Sequence, residues 1–189
     1  MINIYKYIFF EIRKLPVRLL YYVFKFQRWH IYGSTKPEYS RIVSNLANSI
    51  GENLSVVEIG CGLGNIISKV KSPRKIGFDL DNNVIRAAKF IQKFKFHRFK
   101  VVFKHGSFTE AILSSPDVLI AVNWIHNIPT EVLFSKLKYF TDQGTIVIID
   151  GVENYKFYHS KNLLSLSFLV QEISVVGEEK RHIFLIKSK

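Results

Sequence analysis

The 189-residue sequence has little of what marks disulfide-linked or metal-bound proteins. It has one cysteine, Cys61, so no disulfide can form within the chain, and no cluster of Cys and His has the spacing of a zinc site. Acidic residues are also scarce, with 15 Asp and Glu against 27 Lys and Arg, and the net charge is +12. An excess of this size predicts attraction to an anionic partner, such as nucleic acid, a membrane surface or a phosphorylated substrate.

Long apolar runs are missing too. Charged residues interrupt the apolar segment 1–30, so no run approaches the roughly 20 residues that a membrane-spanning helix needs. The compact apolar stretch and the small-residue cleavage site of a signal peptide are likewise absent. These absences, together with the single cysteine, predict a cytoplasmic protein. Because 48% of the residues are hydrophobic, the chain is expected to form one domain with a substantial core.

Residues 1–50 have helical periodicity. Apolar side chains recur three or four positions apart up to Pro16, which ends or kinks the helix. An apolar and basic stretch comes next at 17–26, and a further helix is predicted at 37–50, beginning with a proline. We interpret residues 1–50 as an N-terminal helical extension and candidate lid, and residues 51–189 as the main domain.

The first 30 residues carry six Lys and Arg against one acid, Glu11. A basic amphipathic helix can lie on an anionic membrane, so peripheral contact with the inner face of a membrane is one interpretation. The alternative is that the apolar face of the segment packs on the main domain. If the segment folds over a functional site as a lid, it brings His30 with it.

In the main domain, short runs rich in β-branched residues alternate with helical patterns. This alternation predicts a parallel sheet flanked by helices. Two final strand-like runs, 166–176 and 182–187, are joined by a turn at 177–179 and predict a closing antiparallel hairpin. The earlier strands are predicted at 54–59, 75–78, 100–104, 118–122 and 145–149, and the clearest helices at 84–94 and 130–140.

A glycine cluster lies directly after the first of these strands. Glycine lets the backbone turn tightly and lets a ligand approach closely. A helix is expected next, with free N–H groups at its N-terminus. The spacing Gly-x-Gly-x-Gly differs from the dinucleotide fingerprint Gly-x-Gly-x-x-Gly, and the Gly-Lys-Ser/Thr end of a phosphate P-loop is missing. The full stretch is Val56-Val57-Glu58-Ile59-Gly60-Cys61-Gly62-Leu63-Gly64.

This stretch resembles the first motif of the class I S-adenosylmethionine-dependent methyltransferases, an apolar strand and an acid before Gly-x-Gly-x-Gly. A second family feature agrees, because Asp79 ends the next strand 21 residues after Glu58, and Asp79-Leu80-Asp81 matches an acid-apolar-acid passage. The resemblance covers residues 54–150. It implies a Rossmann-like, doubly wound α/β fold with a mostly parallel seven-stranded sheet, and an enzyme that transfers a methyl group from S-adenosyl-L-methionine.

The resemblance also assigns cofactor-binding residues at the ends of four strands. Glu58 would orient the methionine end, Asp79 would accept hydrogen bonds from the ribose hydroxyls, and Leu80 would pack against adenine. After the third strand, where the family often has an acid that contacts adenine, Ser107 can form hydrogen bonds and Phe108 can stack. The other assigned positions are Gly60, Cys61, Gly62 and Gly64 in the glycine loop and Asn123 after the fourth strand.

Ligands of a doubly wound sheet lie beyond the carboxyl ends of its strands, so the residues after the fourth strand are expected near the methyl acceptor. His126 is the candidate general base, because histidine titrates near neutral pH, and a structural histidine is the alternative. Trp124 is either a wall of the acceptor pocket or a core residue. Asp150, which ends the fifth strand, is a second candidate or a structural cap.

The four residues after the fourth strand bear on the chemistry of the acceptor. Amino-nitrogen methyltransferases carry Asn/Asp-Pro-Pro-Tyr/Phe there, whereas this chain has Asn-Trp-Ile-His at 123–126. The short chain, the compact region after the fifth strand and the basic N-terminus resemble small bacterial methyltransferases of surface-polysaccharide or natural-product pathways. This resemblance implies a small-molecule or glycan acceptor, methylated at oxygen. The stretch 86–104 carries seven Lys and Arg among five Phe without an acid, so an RNA methyltransferase is the alternative. A non-catalytic cofactor-binding scaffold is the alternative from another class.

Overall fold

The computed structural model describes residues 15–33, 37–94, 99–107, 109–111, 115–123, 125, 128–152, 168–174 and 181–188. The helices in these ranges are α1 (residues 15–24), α2 (Trp29–Gly33), α3 (Pro37–Ile50), α4 (Asn82–Phe94) and α5 (Thr130–Asp142). The strands are β1 (Val56–Ile59), β2 (Lys75–Asp79), β3 (Val102–His105), β4 (Val118–Ala121), β5 (Ile146–Val152), β6 (Phe168–Ser174) and β7 (Arg181–Ser188).

The described strands form one seven-stranded sheet in the order β3-β2-β1-β4-β5-β7-β6. The first five strands of the chain run parallel to one another, whereas β7 pairs antiparallel with both β5 and β6. The mostly parallel sheet and its closing antiparallel hairpin, predicted from the sequence, are thus confirmed. The strand order reverses between β1 and β4, which marks the topological switch point where such sheets bind ligands.

The sheet lies between two layers of helices. Successive side chains of a strand point to opposite faces, so a strand that is buried on both faces is apolar throughout. In β4, Val118 and Ile120 join the apolar cluster that includes α3 and α4 residues, whereas Leu119 and Ala121 join the cluster that includes α5 residues. All four residues are fully buried.

Helix α3 belongs to the core of the main domain. Its buried residues Tyr39, Val43 and Ala47 recur four apart and share one apolar cluster with β1 and β4. Residues 37–50, which the sequence assigned to the N-terminal extension, therefore form part of the helical layer on one face of the sheet.

Residues 15–33, which we call the cap, pack separately. Phe26 and Ile31 of the cap form an apolar cluster with Leu63 beside the glycines and with Val84 and Ala87 of α4. The helix predicted before Pro16 lies outside the described residues, and Pro16 itself is within α1. In the described ranges, the helices are too short or too polar to cross a membrane.

The prediction of a helix directly after the glycine cluster is wrong in detail. Turns occupy 62–66, and only a short 3-10 helix, Ile67–Lys69, comes after them. The N–H of Ile67 donates to the buried carboxylate of Glu58 at 2.9 Å, instead of to the carbonyl four residues earlier as an α-helix requires. Lys75 then donates to the carbonyl of Val70 at 2.6 Å, where the 3-10 helix ends.

Candidate functional site

The glycine loop lies after β1 at the switch point of the sheet. Gly60, Gly62 and Gly64 have φ angles of +69°, +52° and +79°, in the left-handed region that other residues adopt only with strain. The loop therefore depends on glycine at all three positions, as its sequence pattern suggests.

The structure gives these glycines different surroundings. A Cβ atom on Gly64 would lie 2.5 Å from Cζ of Phe103, so this glycine allows the loop to pack on β3. A Cβ on Gly62 would instead meet the imidazole of His30, whose Nδ1 would be 3.1 Å away. The Cys61 side chain is buried, and its Sγ would lie 2.9 Å from a Cβ on Gly77. Of the four loop positions assigned to the cofactor, Cys61 thus turns its side chain into the core and Gly64 faces β3.

Asp79, at the end of β2, holds the loop in place. One carboxylate oxygen accepts a hydrogen bond from the N–H of Gly62 at 2.9 Å, and the other accepts from the N–H of Asp81 at 2.9 Å. Asp79 itself is buried, whereas the next residue, Leu80, is 71% exposed. The structure thus places an acid beside the loop and an exposed apolar residue directly after it.

Glu58 is buried beneath the loop. Burial raises the pKa of its carboxyl well above the ordinary value, the N–H of Ile67 lowers it, and the nearby charge of Asp79 raises it further. The side chain orders the turn after the glycines, because one of its oxygens accepts the hydrogen bond from Ile67. Glu58 lies under the loop, and only 2% of its surface is exposed.

A capping box lies after β3. The N–H of Ser107 donates to the carboxylate of Glu110 at 2.6 Å, and the N–H of Thr109 donates to the Ser107 hydroxyl at 3.4 Å. The Ser107 hydroxyl also donates to Glu110 at 3.0 Å. These bonds lower the pKa of Glu110. Ser107 therefore caps the short helical segment 109–111, while Phe108 lies outside the described residues.

Asp81 ties the cap to α4. One oxygen of its carboxylate accepts from the N–H of Asn83 at 2.9 Å and of Val84 at 3.3 Å, which caps the start of α4. The other oxygen accepts from the N–H of Gln27 in the cap at 2.6 Å. The side-chain amide of Asn83 in turn donates to the carbonyl of Lys25 at 3.3 Å. The contacts of the cap thus lie at the ends of β1 and β2 and on α4.

His30 of the cap lies above Gly62. Burial lowers the pKa of its imidazole below the ordinary value of 6.5, although the charges of Asp79 and Asp81 act in the opposite direction. Its Nε2 is 3.7 Å from the nearer Asp81 oxygen and has no hydrogen-bond partner among the described residues. The sequence identified His30 only as part of a candidate lid, because Gly62 and Asp81, which it contacts at the site, lie more than 30 positions away along the chain.

A buried polar cluster anchors the chain after β4. Asp150, fully buried at the end of β5, accepts hydrogen bonds from the Tyr39 hydroxyl at 3.1 Å and from Arg181 at 2.5 Å. Arg181 also donates to the Asn123 side chain at 2.9 Å, and the N–H of Asn123 donates to Asp150 at 2.9 Å. Burial raises the pKa of Tyr39 well above its ordinary value, and the Asp150 charge adds to this effect. The contacts of Asp150 therefore support a structural role for this residue.

Asn123 begins the segment that holds the predicted acceptor residues. It has a φ of +72°, a conformation that asparagine tolerates better than most residues, and the polar cluster fixes it there. Ile125 is fully buried in the core. Trp124 and His126 lie outside the described residues. The sequence did not reveal the partnership of Tyr39 and Arg181 with Asp150, because these residues are more than 30 positions from it.

Comparison with known proteins shows similarity in structure only. No family model matches the sequence, and no curated protein matches it. Magnesium protoporphyrin IX methyltransferase (ChlM) from Synechocystis PCC 6803, solved with bound SAM, has a TM-score of 0.61 at 13% identity, over 86% of this chain and 85% of that chain. N-methyltransferase NodS from Bradyrhizobium japonicum WM9 has a TM-score of 0.60 at 12% identity, over 80% and 96% of the two chains.

The methyltransferase domain of the bacterial protein CtHen1 is also similar, with a TM-score of 0.58 at 15% identity over 79% of this chain and 97% of that domain. The three proteins differ in the substrates and groups that their names state, but they share one sheet architecture with this chain. Together with the strand order and the glycine loop, these similarities show that the chain has the fold of the class I S-adenosylmethionine-dependent methyltransferases.

Proposed function

We propose that the chain is a methyltransferase that uses S-adenosyl-L-methionine. The observation that carries this proposal is the arrangement at the ends of β1 and β2. There the buried carboxylate of Asp79 accepts a hydrogen bond from the N–H of Gly62 in the glycine loop, and exposed Leu80 comes directly after it. Structures with the same fold include ChlM with bound SAM, which supports the same cofactor here.

The residues present fit this cofactor. The absence of a side chain at Gly62 lets the loop backbone come close to the imidazole of His30, so a ligand at this point would contact both. Leu80, at 71% exposure, offers an apolar surface for a nucleobase. The carboxylate of Asp79, at the end of β2 beside the loop, suits a ligand with a cationic sulfonium and an ammonium group. When bound, the cofactor supplies an activated methyl group, and the task of the protein is to align the acceptor.

We propose a small-molecule or glycan acceptor that is methylated at oxygen. The segment after β4 begins at Asn123, which the buried Asp150 and Arg181 fix beside the carboxyl edge of the sheet. The next residues would then lie at the acceptor side, with Trp124 as a wall and His126 as the general base. An oxygen acceptor benefits from such a base, because its proton must leave as the new bond forms.

The acceptor proposal is tested with isotope-labelled methyl donor and cell extract. Transfer of label to a low-molecular-mass or glycan fraction is the expected result, and transfer to RNA instead would contradict it. With the acceptor in hand, His126→Ala should reduce turnover by about 100-fold or more while the cofactor affinity changes little. A folded variant with nearly normal turnover would give His126 a structural role instead.

We also propose that the cap places the enzyme at the inner face of an anionic membrane. The outward side of α1 exposes a contiguous apolar stripe with relative exposures between 56% and 73%. Basic residues flank the stripe, and two of them, Arg18 and Arg28, line a cleft with Tyr21 and Tyr22. Apolar residues beside cations are what a peripheral helix presents to anionic lipid. The stripe consists of Leu15, Leu19, Tyr22 and Val23.

A further inference from the structure

The imidazole of His30 is held in the cleft by the fold of the cap. Its side chain is 10% exposed, and its neighbours are the glycine loop on one side and Asp81 on the other. The ring of Phe26 packs against it at 6.0 Å between centroids. Both of its nitrogens therefore face the place where the loop, β2 and α4 meet.

The cap is fixed to this place by bonds that do not involve the imidazole. The backbone N–H of Gln27 donates to Asp81, and the backbone carbonyl of Lys25 accepts from Asn83. Phe26, between these two bonded residues, and Ile31 are buried against Leu63 and α4. The position of His30 thus results from the docking of the whole cap, and not from a favourable contact of its own Nε2.

The Nε2 atom lacks a suitable protein partner among the described residues. Its nearest carboxylate oxygen, in Asp81, is 3.7 Å away, beyond the reach of a good hydrogen bond. That oxygen already accepts from Gln27, and the second Asp81 oxygen caps α4 through Asn83. A buried polar atom that stays without a partner is unfavourable, and in a native protein it needs an explanation. A ligand that enters the cleft can supply the missing partner.

We propose that the cap forms one wall of the cofactor cleft and that Nε2 of His30 hydrogen-bonds the ribose of the bound cofactor. This inference rests on the proposed methyltransferase function. Ribose is the group in question because the imidazole lies over Gly62, whose N–H is bound by Asp79, and because Asp79 acts on the imidazole electrostatically. The exposed side chain of Leu80 would hold the base that the ribose carries.

The test is calorimetric titration of the full-length protein with S-adenosylhomocysteine, which binds without transferring a methyl group. Three variants test separately the two nitrogen positions of the imidazole. His30→Gln retains an amide near the position of Nε2, His30→Asn retains one near Nδ1, and His30→Ala removes both. Leu19→Ala, on the exposed face of the cap at 67% exposure, is the matched control.

The alanine and asparagine variants should bind S-adenosylhomocysteine roughly tenfold more weakly, whereas the glutamine variant and the Leu19 control should bind within about threefold of wild type. 5′-Methylthioadenosine, which keeps the ribose but lacks the amino-acid part, should lose affinity by the same factor in His30→Ala. The comparison of glutamine with asparagine separates a hydrogen bond at Nε2 from a packing role, because both side chains are polar and smaller than imidazole.

The outcomes distinguish this inference from the proposed function. If wild type binds neither compound, the proposed function fails. If wild type binds but the folded His30 variants bind equally well, the function stands and the role of His30 is refuted. Tighter binding by His30→Ala would show that the imidazole occupies the place of the cofactor, and it would also overturn the inference. An effect on S-adenosylhomocysteine alone would contradict the ribose contact.

Discussion

Gly62, Gly64 and Gly144 all have positive φ angles but differ in the space around them. Substitutions at these positions therefore separate the cost of backbone strain from the cost of a steric clash. Gly64 and Gly144 have φ angles of +79° and +80°, so alanine should be strained equally at both, by about 1–2 kcal/mol. A Cβ on Gly144, in the turn after α5, would meet nothing within 4 Å in the described structure. A Cβ on Gly64 would lie 2.5 Å from buried Phe103.

We therefore expect Gly144→Ala to lower the free energy of unfolding by about 1–2 kcal/mol. Gly64→Ala should lower it by about 1–3 kcal/mol more, because the core around Phe103 must expand to accept the methyl group. Gly62→Ala should lower stability slightly more than Gly144→Ala, since its Cβ would lie 3.1 Å from the imidazole of His30, but less than Gly64→Ala, whose Cβ would be closer to its neighbour. Only Gly62→Ala should combine this modest loss of stability with weaker cofactor binding.

Urea unfolding at 25 °C, monitored by circular dichroism, measures these differences with the slopes compared between variants. The contrast between Gly64 and Gly144 is the decisive quantity, because the backbone strain cancels in it. If the two variants agree within about 0.5 kcal/mol, the assignment of Gly64 to loop packing is refuted. If Gly144→Ala weakens binding of S-adenosylhomocysteine as much as Gly62→Ala does, the glycine loop is not the binding site.

Buried charge and the exposed face of the cap lead to three further predictions. Burial raises the pKa of Glu58, so the free energy of unfolding falls as the pH rises above about 4.5, where this carboxyl ionises in the unfolded chain. Glu58→Gln should therefore be more stable than wild type at pH 7 by about 1 kcal/mol or more, but not at pH 4. Unfolding measured at both pH values tests this. Arg181→Met leaves Asp150 charged and buried, so it should lower the free energy of unfolding by about 3–5 kcal/mol, and a loss under about 1 kcal/mol would contradict the cluster. The double substitution Leu19→Ser and Val23→Ser should reduce sedimentation with phosphatidylserine vesicles at low salt without changing the melting temperature. Membrane contact is refuted if the double variant sediments as wild type does, or if wild type does not sediment with the vesicles.

Much of the fold could be predicted because its signals are local. β4 is buried on both faces, so it reads as a continuous apolar run, and α3 shows its buried face at a spacing of four residues. The hairpin of β6 and β7 was visible from its turn. The helix expected after the glycines was wrong, because turns occupy 62–66 and Val70 is already extended. The N–H of Ile67 donates instead to Glu58, nine residues earlier, a contact that the local pattern does not show.

The candidate site was predictable only in part, for a related reason. The glycine pattern and Asp79 identify the end of the sheet that binds a ligand, but not what covers it. His30 and Arg181 reach the site through packing of distant segments, which leaves no pattern in the local sequence. The capping box of Ser107 and Glu110 did have a local signal, Ser-x-x-Glu, at a position that the family resemblance assigned to a cofactor contact instead.

Titration of the full-length wild-type protein with S-adenosylhomocysteine tests the central claim most directly. The account predicts saturable binding with one site per chain, with heat that becomes more negative as the temperature rises, because Leu80 loses its exposure when a nucleobase packs on it. Absence of binding by a protein that is shown to be folded in the same sample would contradict the account.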